Sequence, residues 1–204
     1  MPNMNEKREK ILSVAVEEFA ENGYRNASTN RIAARAGVSK GIIFHYFTNK
    51  SNLYLVALDS CLEKMKKLFE EHFKSCQEKD VFEKLRLWAY KKLQISMEYP
   101  VLSKFLLSVI DLPEDLRDEV MRKIQSLQQD VVANVFRDFE GLKLRKGLSH
   151  QDAMKFVLAS LNGLGNMYIK MYENDPQRLF KDKERILTEA EKYLQMIKFG
   201  ILDR

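Results

Sequence analysis

The sequence predicts an all-α protein: an N-terminal three-helix helix-turn-helix domain followed by a larger helical body, about nine helices in all. Three observations carry this. Only 4 prolines and 8 glycines interrupt 204 residues. Apolar residues recur at helical spacing with no strand-like alternation, and no internal repeat or low-complexity tract occurs. With 45% hydrophobic and 31% charged residues, the chain belongs to the ordinary globular class and can bury a core.

The helices follow from their start and stop signals. Ile11, Leu12, Ala15, Val16, Phe19 and Ala20 place a first helix over about residues 6–21, stopped by Asn22-Gly23. Ser28-Thr29 offers an N-cap for a short helix through Ala36, ended by Gly37; Ser39 caps a third over residues 40–47. Residues 48–51 lead into a long fourth helix reaching about Ser75. Asp80 and Glu83 resemble a capping box for a helix over residues 80–98, and Pro100 suits the first turn of one reaching about Ile110. Pro113 opens a helix through about Phe139, residues 140–148 form a loop, Ser149 caps a helix to about Glu173, and Asp182 starts the last, to Phe199. The expected division is residues 1–50 for the helix-turn-helix domain and 51–204 for an effector-binding and dimerisation domain.

Several function classes fall away. No run approaches the ~18 apolar residues of a membrane span, and the charged N-terminus lacks a signal-peptide stretch, so a cytoplasmic protein without membrane association is expected. Cys61 and Cys76 are too few and too far apart for a metal cage or disulfide framework. The three histidines, His45, His72 and His150, are scattered, and no metalloprotease, nucleophile-elbow or phosphate-loop pattern is present. Neither catalysis, nor a metal, nor a cofactor is expected; a helical protein-interaction module is the remaining rival.

Charge distribution argues against that rival. From Asn22 to Leu58 there is no Asp or Glu, whereas 29 acids spread evenly over 204 residues would place about five there. Arg25, Arg31, Arg35, Lys40 and Lys50 all lie in this window. Within it, TNRIAARAGVSKGIIFHYFTNK, residues 29–50, reads as helix, glycine turn, helix. Ile32, Ala33 and Ala36 give a narrow apolar stripe, Gly37 permits the left-handed turn, and Val38 plugs the corner. On the second helix Ile43 and Phe47 point to the core, leaving Gly41, Ile42 and His45 opposite and Phe44 and Tyr46 on the flanks. A carboxylate-free face, with a glycine for close approach and a lysine at its start, suits the DNA major groove.

These residues resemble the tetracycline-repressor (TetR) family of transcriptional regulators. VSKGIIFHYFTNK is similar to its recognition-helix pattern V-S-x-G-x-x-Y-x-Y-F-x-x-K, and ILSVAVEEFAENGYRNASTNRIAARAG resembles its first two helices. The match covers about Ile11 to Leu58. It implies that Thr29 holds a DNA phosphate at a helix N-terminus; that Lys40, Ile42 and His45 face base edges; and that Tyr46 and Lys50 clamp phosphates. Asn30 and Phe44 stand where the family often touches DNA. The sequence departs from the pattern at His45-Tyr46 and at Phe44, which lacks a tyrosine hydroxyl. Plain structural readings stand beside these: core packing for Phe44, a solvent-facing His45, a helix end for Lys50.

The resemblance further implies a homodimer on a palindromic operator, half-sites ~34–36 Å apart, joined through the last two helices of each protomer. Phe156, Leu161, Leu164, Tyr193, Leu194 and Ile197 offer apolar faces for that contact or for the protomer's own core. Gly163 and Gly165 inside a helical pattern suggest close helix approach or pocket space. Phe69, Phe73, Trp88, Phe105, Met121, Phe136, Asn162 and Met167 are the candidate lining of an effector cavity. The effector expected is small and hydrophobic, and the expected output is a repressor released from DNA when it binds.

Overall fold

The computed structural model describes residues 4–76, 78, 80–172, 178 and 181–203. Among them the apolar periodicity becomes nine α-helices: α1 Met4–Asn26, α2 Thr29–Ala36, α3 Lys40–Phe47, α4 Lys50–Ser75, α5 Val81–Glu98, α6 Pro100–Leu107, α7 Glu114–Val135, α8 His150–Met171 and α9 Lys183–Ile201. Short 3-10 turns occupy Ser108–Asp111 and Phe139–Gly141. The described residues contain no strand, only an isolated bridge between Leu144 and Leu202. The all-α reading holds.

The start and stop signals act as their chemistry requires, with local differences. Gly23 breaks the helical geometry of α1 at φ 66°, ψ 173°, and helical structure resumes to Asn26. Ser28 caps α2 by accepting from the Arg31 amide. Gly37 at φ 70° closes it in a left-handed turn, its N–H donating to Ala34 O and that of Val38 to Ala33 O. Asp80 accepts from the Phe82 and Glu83 amides at the start of α5, but the Glu83 carboxylate turns to Arg86, so the capping box closes on one side only. The helix expected to run to Phe139 ends at Val135, and a tighter 3-10 turn carries Phe139 into the core. The predicted end near Glu173 lies outside the described residues.

Packing divides the chain into two compact units. The first comprises Met1–His72 and Glu98–Asp130. Its core joins Ile11, Ala15 and Phe19 of α1, Ile32 and Ala36 of α2, Ile43 and Phe47 of α3, Leu53, Tyr54 and Leu58 of α4, and Phe105 of α6. An aromatic cluster knits it together: Phe19 meets Tyr54 edge-on at 5.0 Å, and Tyr54 meets Phe105 at 5.2 Å. Cys61 lies in this core, where burial pushes its thiol up to about 12, as suits an inert packing residue. The second unit comprises Phe73–Met97 and Val131–Arg204. Here Leu85, Ile95, Val157, Ile186, Leu194 and Ile197 are buried, and α8 packs on α9. The chain's end is strapped down by Arg145, which donates to Phe199 O and Leu202 O.

Candidate DNA-binding surface

The geometry of α3 follows from its two buried residues. Ile43 and Phe47 are inserted in the head's core, so the opposite side must face outward. Lys40, Gly41 and His45 are exposed there, and Ile42, Phe44 and Tyr46 are half-buried. Asn30 is exposed and Thr29 half-buried at the start of α2. The structure thus gathers the predicted DNA-facing residues of α3 on one surface with no carboxylate among them. The Lys40 ammonium lies 5.6 Å from the Phe44 ring centroid, and the rings of His45 and Tyr46 meet edge-on at 5.6 Å. Ser39 sits at the N-cap of α3, yet its hydroxyl makes no cap hydrogen bond. Gly41 is open: a Cβ there would meet only the Ser39 hydroxyl, at 3.8 Å. Nothing inside the protomer therefore requires a glycine at this position.

Lys50 has work within the protein. Its ammonium donates to Arg25 O at 3.2 Å and lies 4.8 Å from the Tyr24 ring centroid. Burial and the nearby Arg31 charge hold its pKa below the usual lysine range. Tyr24 and Ser51 share a further hydrogen bond of 2.7 Å. Together these contacts clasp the start of α4 to the end of α1. Asn49 completes the junction by accepting from the Asn52 amide as the N-cap of α4.

Glu18 is the residue that sequence reasoning passed over. Only 1% exposed, it accepts from the Ser28 amide at 2.9 Å and from Arg31 Nε at 2.8 Å, and lies 3.7 Å from Arg35. Desolvation alone would raise its pKa, but the Arg31 and Ser28 hydrogen bonds and the two guanidinium charges outweigh that and hold the carboxyl below its usual range. Arg35 also pairs with Glu17 and Glu21. The acid-free window is therefore not acid-free in space. Glutamates of α1 neutralise Arg31 and Arg35, so the basic character left for a partner is carried mainly by Lys40 at the start of α3. The signal for Glu18 was present: it stands one turn from Ala15 on the apolar face of α1.

The candidate effector-lining residues are spread over both units. In the first, Phe69 and Phe105 are buried, Phe105 within the aromatic cluster, and Met121 is exposed. In the second, Phe136 packs on Phe139 at 5.2 Å, Phe73 and Trp88 are half-buried, and Asn162 and Met167 are exposed. An open cleft of about 890 Å³ between the start of α5 and α9 contains none of the eight. Its charges are matched internally, Asp80 with Lys198 and Arg86 with Glu83 and Glu191. Of the residues offered for a dimer face or core, Leu194 and Ile197 are buried in the protomer, while Phe156 is 53% exposed. Among the described residues no helix is long and apolar enough to cross a membrane, and no group of three or more His, Cys, Asp or Glu is placed to hold a metal.

Fold and surface define a helix-turn-helix protein with an appended helical body. Residues 11–57 match the model of bacterial regulatory proteins of the tetR family, and residues 79–202 match the tetracycline repressor-like C-terminal domain. The chain belongs to the tetracycline-repressor family. It is 34% identical over 92 residues to the HTH-type transcriptional regulator QacR of Staphylococcus aureus, covering 45% of this chain and 47% of that protein. It is 37% identical over 103 residues to the fatty acid metabolism regulator protein of Bacillus subtilis, covering 49% of each. These alignments span about half the length of the curated relatives. The crystal structure of the transcriptional regulator FadR from Bacillus subtilis in complex with stearoyl-CoA superposes with a TM-score of 0.65 at 20% identity, covering 93% of this chain and 97% of that one.

Proposed function

We propose that the protein is a dimeric, sequence-specific DNA-binding repressor released from its operator by a small hydrophobic effector. The observation that carries the first part is the outward face of α3, where Lys40, Gly41 and His45 are exposed on a core anchored by Ile43 and Phe47. In this reading Lys40, Ile42 and His45 read base edges, and Gly41 lets the helix backbone come close to the groove. Thr29, Asn30, Phe44 and Tyr46 settle against the phosphates and sugars, fixing orientation rather than sequence. Lys50 serves chiefly to hold α4 against α1 and adds its charge near the backbone.

A single recognition helix spans one half-site, so a pair is required. Phe156, Met167, Met171, Met196 and Phe199 leave α8 and α9 with exposed large apolar side chains. Gly163 and Gly165 are also exposed, with nothing within 4 Å of where a Cβ would stand. Exposed apolar groups beside glycines suit close helix packing against a second copy. The effector reading draws on the relatives: one is named for fatty acid metabolism, and the FadR structure holds stearoyl-CoA.

The test is anisotropy of labelled DNA from upstream of the protein's own gene against scrambled DNA, across salt concentrations, with light scattering in parallel. A dimer preferring one palindromic fragment by ~10³-fold or more is expected. Sequence-blind binding at every salt concentration would overturn the reading.

A further inference from the structure

One charged side chain stands on the wrong face of its helix. At ~100° per residue, Lys92 lies between Leu85, Trp88 and Ile95 on α5, and Leu85 and Ile95 are each 1% exposed. A residue at that phase should be apolar and packed. Instead Lys92 is exposed, although burial among surrounding protein atoms depresses its pKa. An outward-facing lysine would not be desolvated, and a close-packed one would not be accessible; the two conditions meet at the wall of an internal hollow. Its ammonium lies 4.5 Å from the Trp88 ring centroid. Among the described residues no carboxylate lies within ion-pair distance of it. The Trp88 indole nitrogen is likewise buried without a hydrogen-bond partner. A cation and an N–H donor, both unanswered and both on an apolar helix face, form half of a recognition site.

We infer that Lys92 and Trp88 anchor the anionic head of the effector, an amphipathic molecule with a carboxylate at one end and an apolar remainder. The ammonium supplies a charge-assisted hydrogen bond, strong where water is scarce. The indole offers a second donor and an aromatic wall, and the surrounding apolar residues of α5 select against fully polar anions. This rests on the effector-released repressor reading and names the chemistry of its ligand.

Trp88 is the only tryptophan of the chain, so its fluorescence reports directly on this site. The probes are dodecanoate, dodecanol and dodecylamine, titrated into the full-length protein, with operator anisotropy followed in the same samples. Dodecanoate is expected to bind about tenfold or more tighter than dodecanol, and dodecylamine weakest. Lys92→Met should abolish the carboxylate preference while leaving dodecanol within about twofold, and Lys92→Arg should restore it. Because Lys92→Met removes an uncompensated buried charge, its Tm should equal or exceed that of the wild type, which separates lost recognition from lost folding. Equal binding of dodecanoate and dodecanol, a preference that survives Lys92→Met, or no fluorescence response to any probe would each overturn the inference. If dodecanol releases the operator as well as dodecanoate does, the anionic anchor is wrong and the repressor reading stands. If screened hydrophobic compounds bind but none alters operator affinity, the repressor reading fails instead.

Discussion

From α1 through α4 no large hydrophobic side chain is exposed among the described residues, whereas α8 and α9 leave Phe156, Met167, Met171, Met196 and Phe199 open. Surface exposure in the head falls on Lys40, Gly41, His45 and Asn30, groups suited to a polar, anionic partner. In the body it falls on apolar groups suited to another protein surface. The buried charges differ in the same way. Glu18 of the head is answered by Ser28, Arg31 and Arg35, while Lys92 of the body has only an aromatic ring beside it. A satisfied charge builds a rigid reading head; an unsatisfied one is a place for a ligand.

The contrast can be broken by substitution. Phe19→Ala should cost about 3–5 kcal/mol of stability in denaturant unfolding, because Phe19 is fully buried in the head's aromatic cluster. Phe156→Ala should change protomer stability by less than about 0.5 kcal/mol and instead raise the dimer dissociation constant in sedimentation. Equal unfolding losses in the two variants would erase the distinction drawn here.

Next in size is Glu18→Gln, expected to cost about 2–4 kcal/mol by leaving Arg31 and the Ser28 amide poorly answered. Since the folded pKa of Glu18 is depressed, its stabilisation is fully present above the unfolded value, about 4.3. It is lost as pH falls through the lower folded value. Acid titration of the wild type should therefore show a loss of stability that the glutamine variant lacks; matching acid limbs would remove Glu18 from the account.

Gly41→Ala gives the smallest change in stability and the sharpest change in function. Alanine in a helix interior should add about 0.5–1 kcal/mol, since nothing in the protomer crowds the position. Operator affinity should nevertheless fall about tenfold or more, as the new methyl holds α3 away from the groove. Unchanged affinity in the anisotropy assay would mean that this face is not the one that meets DNA.

Much of this was readable from local chemistry. Gly37 and Ser28 could be assigned their turn and cap because those motifs span only a few residues, and the outward face of α3 followed from the phase of Ile43 and Phe47. Lys92 was equally legible, a lysine among Leu85, Trp88 and Ile95, though its meaning depended on knowing that this face is internal. Arg31 and Arg35 were misjudged as free basic charge because the glutamates that answer them lie 13 to 18 residues earlier, on α1.

The sequence by itself determined the helices, their caps and the reading motif, since each rests on interactions within a turn or two of the chain. Only the tertiary structure decided that Leu194 and Ile197 belong to the protomer's core while Phe156 remains outside. It alone joined Phe105 to the head through Phe19 and Tyr54. Amphipathic helices carry one apolar stripe whatever they pack against. Which neighbour covers that stripe is set by residues far away along the chain, and it is resolved only when the cores close.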